Sequence, residues 1–300
     1  MRDRIINVII YASLAVIALT FFYTQVIRYG HYSKLSKNNS IRIIPIEGPR
    51  GNIYDRNGEV LVSNILCFDV VAIYNEIRDM RRVASVLQDI LGMSREEAHK
   101  ALEISMKRPF SPVAIAEDIG KEKAILIEEA SVDIDGISIE TRSRRHYLNG
   151  LSGCHLFGYL TEVSQDEVEY LADYGYRVGD LIGRSGLEEY YNDYLKGEDG
   201  GTQVQVDNRG RQVNILGMKE PSSGRDLFLT IDGRLQLACD EILGSRRGAV
   251  VVMDPATGEV LALASHPAFD PNVFVESGAS RERLMLIRDR RGRPLSDRAI

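Results

Sequence analysis

Apolar residues run from position 5 to position 27 without a single charge. At 1.5 Å per residue these 23 positions make about 34 Å of helix, enough to cross a bilayer. A cleaved signal sequence and a buried core helix are the competing readings. A signal core is shorter and ends in small residues, whereas Phe21, Phe22 and Tyr23 stand where cleavage would fall. The segment is therefore expected to remain as an anchor, with its aromatic cluster near one interface. Arg2 and Arg4 precede it and Arg28, Lys34 and Lys37 follow, so charge alone does not orient it.

Beyond a polar connector the pattern becomes short and mixed. Alternation at Ile41, Ile43 and Ile46 predicts a strand that Gly48-Pro49 breaks. Ile53-Tyr54, a turn at Arg56-Asn57-Gly58 and a return over 59–62 follow. A separate strand is expected over 67–74. The period then changes to helical through Met80, Val83, Leu87 and Leu91, and Ser94 with Glu97 spells a capping box for the next helix. A strand at 113–115, a helix over 120–130 and alternation from Ile134 towards Arg145 complete this stretch.

Residues 156–160 read as a strand, and Ser164 with Glu167 caps a helix to about Tyr174. Ser185 with Glu188 predicts a third box, opening a helix whose apolar stripe is Leu187, Tyr190-Tyr191 and Tyr194-Leu195, with the tyrosines read as packing. Strands at 203–206 and 212–216 flank a turn at Asn208-Arg209-Gly210. Pro221-Ser222-Ser223-Gly224 is the best linker in the chain. A strand over 226–231 then leads to Asp232, which caps a helix ending at Gly244. Last come two strands, 249–253 and 259–265, joined through Asp254, Pro255 and Gly258. Neither strand alternates, so the hairpin is expected to need cover on both faces. The preceding helix can supply one of them, and nothing after Phe274 is expected to supply the other.

Composition narrows the possibilities. The chain has 300 residues, 44% of them hydrophobic and 27% charged, with net charge −6. That balance is neither disordered nor nucleic-acid-binding. Cys67, Cys154 and Cys239 are scattered and odd in number, which is no disulfide framework and is read as three buried hydrophobes. The histidines show no ligand spacing, so neither metal nor cofactor is expected. Asp55 sits between Arg50 and Arg56 in a tight turn, where pairing or backbone capping outweighs catalysis. The six arginines of 281–293 read as a solvated helix or loop.

Residues 47–58 (EGPRGNIYDRNG), 183–191 (GRSGLEEYY), 226–236 (DLFLTIDGRLQ) and 248–270 (GAVVVMDPATGEVLALASHPAFD) together resemble a class B penicillin-binding protein of the elongation type. The resemblance covers essentially the whole chain. It implies an α+β protein with a single N-terminal transmembrane helix, a mixed α+β pedestal and the beginning of a β-lactamase/transpeptidase-like domain. The implied division is 1–28 for the cytoplasmic tip and anchor, 29–222 for the pedestal, and 223–300 for the start of the transpeptidase domain. Its pedestal motifs map onto Arg50, Gly51, Asp55, Arg56 and Gly58, onto Arg145, and onto Gly183, Gly186 and Glu188. In the family these residues hold the pedestal together and couple it to the catalytic domain and to partners. Leu148 stands where the family usually has a proline after Tyr147.

The family crosslinks peptidoglycan stem peptides by acyl transfer through a serine and binds β-lactams there. That chemistry needs Ser-x-x-Lys, a Ser-x-Asn and a Lys-Thr-Gly. No serine here has lysine three residues on and no Lys-Thr-Gly occurs, and the Ser-x-Asn is expected to be absent with them. The chain is therefore expected to carry no catalytic residue and to stop short of the nucleophile. The resemblance implies a single-pass protein of the bacterial inner membrane with its bulk outside the cytoplasm. Implied partners are a membrane glycan polymerase and other elongation-machine proteins, with no nucleic acid. The alternative is a non-catalytic anchored scaffold that binds those partners through the pedestal.

Overall fold

A computed structural model describes residues 2–171, 174–207 and 212–300. The chain divides into two compact units, Met1–Pro45 with Gly201–Lys219, and Ile46–Gly200 with Glu220–Ile300.

The first unit opens with the helix Arg2–Phe22, continues through a π-helical turn at Tyr23–Ile27, and resumes as the helix Tyr29–Asn39. Residues Arg4–Ile27 are apolar and long enough to span a bilayer, and none of that segment is buried by the protein. The unit's sheet sets the strand Gly200–Val206 between Ile41–Ile46 and Gln212–Lys219. The turn expected at Asn208-Arg209-Gly210 lies outside the described residues.

The second unit is organised by one long strand, Val60–Ala72, of 13 residues or about 43 Å. Two strands were expected here, because Ser63 and Asn64 interrupt the apolar run. The structure joins them, since the strand Ile137–Tyr147 pairs antiparallel along the entire length from Val62↔Tyr147 to Ala72↔Ile137. Continuous pairing satisfies the backbone through the polar stretch. Each end of the ribbon serves its own core. Val70 and Ala72 pack under the helices Met80–Leu91, Arg95–Met106 and Lys121–Ser131 through Val83, Leu87, Leu102 and Ile127. Leu61, Val62 and Tyr147 pack with Ile53, Phe157 and Leu195.

The helix Met80–Leu91 starts where Asp79 accepts from the N–H groups of Arg81 and Arg82, and ends at Gly92 in the left-handed region. The capping box of Ser94 and Glu97 forms as expected. Three other expectations need correction. Residues 156–160 are not one strand: a short helix, Cys154–Phe157, precedes the strand Leu160–Glu162. Gly158 separates them and touches Ser185, whose carbonyl oxygen would lie 1.8 Å from an added Cβ. The helix after Ser185 breaks at Tyr191 into Gly186–Tyr190 and Asn192–Leu195. The strand near 226–231 is confined to Leu227–Phe228, parallel to Ile53–Tyr54. Part of the helix expected to reach Tyr174 lies outside the described residues; its described turns are Gln165–Leu171.

The stretch 221–224 is tied down. Ser222 exchanges backbone hydrogen bonds with Glu198, and the Gly224 N–H donates to the Pro49 carbonyl. Asp232 caps the helix Gly233–Leu243 as expected. That helix covers one face of the hairpin Gly248–Met253/Val260–His266 through Leu235, Cys239 and Leu243. Val251 and Met253 on the other face remain exposed, so the hairpin is covered on one face and not two. Cys67, Cys154 and Cys239 are all buried and free. The helix Ser280–Arg288 has no buried residue, in line with a solvated basic segment.

Candidate functional site

Three of the sequence motifs meet at one carboxylate. Register places Arg145 directly across from Asn64 on the long ribbon. From there its Nε donates to Glu188 Oε1 at 2.7 Å and its Nη1 to the Gly51 carbonyl at 2.7 Å. Arg50 approaches from the other side, with Nη2 2.8 Å from Glu188 Oε2. The Arg145 and Glu188 side chains are fully buried and the Arg50 side chain is nearly so. A buried carboxylate between two guanidinium groups is what makes such burial tolerable, because a lone ion there would be prohibitively costly.

The close approach has steric requirements. An added Cβ on Gly183 would lie 2.0 Å from the Glu188 carbonyl oxygen, and one on Gly51 1.9 Å from that of Arg225. Gly186 has φ +59°, and its Cβ would meet the Leu156 carbonyl oxygen at 2.5 Å. Gly58 is different: φ is +82° and nothing lies nearby, so it serves only its turn.

Glu188 therefore does not complete a capping box. The Ser185 side chain makes no cap hydrogen bond, and the carboxylate that would accept from the Ser185 backbone N–H is held by the arginines instead. Asn192 is the residue that sequence reasoning missed. Its Oδ1 accepts from Arg50 Nη1 and Nη2 and from the Gly183 N–H. The available signal was its place four residues after Glu188 on a helical stretch, which puts both on one face.

Asp55 divides the earlier expectation. It pairs with neither arginine; Arg56 lies 3.8 Å from Glu259 instead. It does cap backbone. Its carboxylate accepts from the N–H groups of Asn57 (2.7 Å), Glu59 (2.8 Å) and Gly233 (3.2 Å). Burial alone would raise its pKa, but these hydrogen bonds outweigh it and hold the carboxyl below its ordinary value. The Gly233 contact, with the Arg56 N–H donating to the Ile231 carbonyl, ties the 55–58 turn to the start of the helix Gly233–Leu243.

Further bonds join the ribbon to the hairpin region. Asn272 accepts from the Tyr147 N–H and donates to the Tyr147 carbonyl, each at 3.0 Å. Leu148 donates its N–H to the Leu61 carbonyl, a bond that proline could not make. Asp240 accepts from Ser152 Oγ, the Gly153 N–H and Gln236 Nε2, and lies 3.0 Å from His266 Nε2. Burial, followed by the nearby Glu188 charge, pushes the Tyr147 phenol well above its ordinary pKa. The cavity lined by Arg50, Arg145, Glu47, Lys196 and Asp199 holds about 60 Å³, well below the roughly 300 Å³ of a small ligand pocket. This arrangement is a structural clamp.

The family described as penicillin-binding protein dimerisation domain matches residues 45–229, and the penicillin-binding protein transpeptidase domain matches 248–300. The chain belongs to the penicillin-binding protein dimerisation-domain family. It is 34% identical over 288 residues to the peptidoglycan D,D-transpeptidase MrdA of Acinetobacter baumannii, covering 96% of this chain and 43% of that protein. Against MrdA of Escherichia coli K12 it is 31% identical over 289 residues, covering 95% and 46%. The chain thus spans less than half the length of these relatives.

Solved structures agree. The complex between penicillin-binding protein PBP2 and MreC from Helicobacter pylori matches with TM-score 0.68 at 25% identity, over 86% of this chain and 48% of that one. A peptidoglycan synthase complex, described as coordinating polymerisation and crosslinking, matches with TM-score 0.64 at 28% identity, over 100% and 52%. Of the acyl-transfer signatures, one Ser-x-Asn string does occur, Ser36-Lys37-Asn38, which corrects its expected absence. It lies on the helix Tyr29–Asn39, far in sequence from the segment that matches the transpeptidase domain.

Proposed function

We propose that this chain is the anchored, pedestal-bearing part of an elongation-type peptidoglycan D,D-transpeptidase, whose reaction crosslinks stem peptides through an acyl-serine intermediate. One observation carries the reading. Motif residues from three separated stretches, at Arg50, Arg145 and Glu188, close on a single buried ion network. The same compact unit contains the residues that match the transpeptidase domain. The network and the Asp55 turn act as positioning elements, and residues 1–300 supply no serine nucleophile with its lysine. The division into anchor (1–28), pedestal (29–222) and transpeptidase start (223–300) belongs to this proposal. So does a single-pass inner-membrane location with the bulk of the chain outside the cytoplasm. An MreC-like scaffold protein and a membrane glycan polymerase are its proposed partners, by likeness to the two solved complexes.

The test is covalent labelling with a fluorescent β-lactam. The 300-residue chain is expected to remain unlabelled. A chain extended through the downstream reading frame is expected to gain Ser-x-x-Lys within a few dozen codons and to label. Labelling of the 300-residue chain, or a downstream frame without that motif, would overturn the proposal.

A further inference from the structure

Beside the buried clamp lies an open groove of about 660 Å³, lined by Tyr190, Tyr191, Tyr194, Arg184, Glu189 and Asp193 among others. Its size falls within the roughly 300–1,000 Å³ of small-ligand sites. Three aromatic rings stand together: Tyr190 packs edge-on against Tyr191 at 4.8 Å, and Tyr191 against Tyr194 at 6.3 Å. Tyr190 is 81% exposed and Tyr194 40%. Among the described residues none of the three phenol hydroxyls makes a hydrogen bond. Tyr191 is anchored against the core beside Leu195. The helical turns that carry the rings are fixed from behind by Glu188 and by the close glycine contacts at 183 and 186. An ordered aromatic surface of this kind loses little entropy when a ligand lies on it.

The charges lining the groove limit its ligand. Arg184 is the one cation in the lining among the described residues, and Glu167 holds it bidentately, with Nη1–Oε1 2.6 Å and Nη2–Oε2 2.9 Å; a second guanidinium, that of Arg225, lies over the Tyr194 ring, 5.6 Å from its centroid. Glu189 and Asp193 are carboxylates, so a phosphate, a carboxylate ligand or a nucleic acid would meet net repulsion. Ring faces together with hydroxyl and carboxylate acceptors suit a neutral polyhydroxylated ligand. The C–H face of a pyranose stacks on an aromatic ring, and its hydroxyl and amide hydrogens reach the carboxylates.

We propose that this groove binds a neutral glycan chain of linked pyranoses, with Tyr190 as the stacking face and Glu189 and Asp193 as hydrogen-bond acceptors. That the glycan is the neutral sugar face of a peptidoglycan strand, with its acidic stem peptides outside the groove, rests on the function proposed above. The saccharide chemistry stands without it.

The test uses the whole 300-residue chain in detergent micelles, titrated with chitohexaose and followed by calorimetry and tyrosine emission; the chain has no tryptophan to obscure the latter. Saturable binding is expected, weakened about ten-fold or more by Tyr190→Ala and kept within about two-fold by Tyr190→Phe, which retains the ring. The high exposure of Tyr190 means that neither substitution threatens the fold. Decaproline is titrated in parallel, since polyproline helices also use aromatic grooves. No saturable response to chitohexaose, undiminished binding by Tyr190→Ala, or binding of decaproline alone would each overturn the proposal. Failure here leaves the β-lactam result untouched, so the two readings fail separately.

Discussion

Arg145 Nε reaches Glu188 Oε1 across 2.7 Å, with both side chains fully buried and the two residues 43 positions apart in the chain. The contact joins the long ribbon to the 183–195 segment, and Arg50 adds a third stretch to the same carboxylate. Removing the charge should therefore be worse than removing the whole network. Glu188→Ala leaves two buried guanidinium groups uncompensated and is expected to cost about 3–5 kcal/mol. Replacing all three residues by apolar side chains of similar volume should recover most of that loss. Urea unfolding of the detergent-solubilised chain measures both. A triple variant less stable than Glu188→Ala would show that the network contributes net stability.

Two glycines in one motif should respond very differently. Gly58→Ala places a side chain at φ +82° in open space and should cost about 1 kcal/mol, the ordinary left-handed penalty. Gly51→Ala drives a Cβ to 1.9 Å from the Arg225 carbonyl oxygen, where backbone has to shift. It should cost about 3 kcal/mol or more. Equal melting temperatures for the two variants would contradict the close-approach argument.

Asn272 tests the connection between the ribbon and the hairpin region. It answers both backbone groups of Tyr147 from a nearly buried position. Asn272→Ala strands a donor and an acceptor, an expected loss of about 2 kcal/mol. Hydrogen exchange should show the Tyr147 amide losing protection while the Val70–Ala72 end of the ribbon keeps its own. Uniform loss along the ribbon would mean that its two cores unfold as one.

What the sequence made legible follows from how local each interaction is. Ser94, Glu97 and Asp232 act within a few residues of themselves, and their helices begin where capping places them. Ser185-x-x-Glu188 is spelled like Ser94-x-x-Glu97 yet behaves differently. Two arginines brought in from positions 50 and 145 offer its carboxylate charged partners, and a charged buried partner outweighs an exposed cap. Similarly, the polar pair Ser63-Asn64 reads as a break, but Asn64 is an interior connector whose Nδ2 donates to the Arg50 carbonyl at 2.6 Å. The resemblance supplied the identities of Arg50, Arg145 and Glu188. Their meeting depends on ribbon register and glycine approach, which are non-local.

The Asp55 turn carries a pH dependence whose sign can be worked out. Its pKa in the folded chain is depressed, since the N–H donors of Glu59, Gly233 and Asn57 overcome the effect of burial. Stability from a depressed carboxyl is fully present above the unfolded value of about 3.9, and is lost as pH falls through the lower folded value. Glu167 behaves in the same direction: Arg184 first, then Ser164, holds it at about 2, though exposure makes its share small. Asp55→Asn keeps the shape but removes the charge. Its deficit against the parent chain should be greatest above about pH 5 and shrink as pH falls below about 4 towards the depressed folded value, through which the parent's carboxyl also becomes neutral. Thermal melts across that range by circular dichroism provide the comparison. A deficit that stays constant from neutral pH down to pH 3 would show that the turn depends on shape and not on the charge of Asp55.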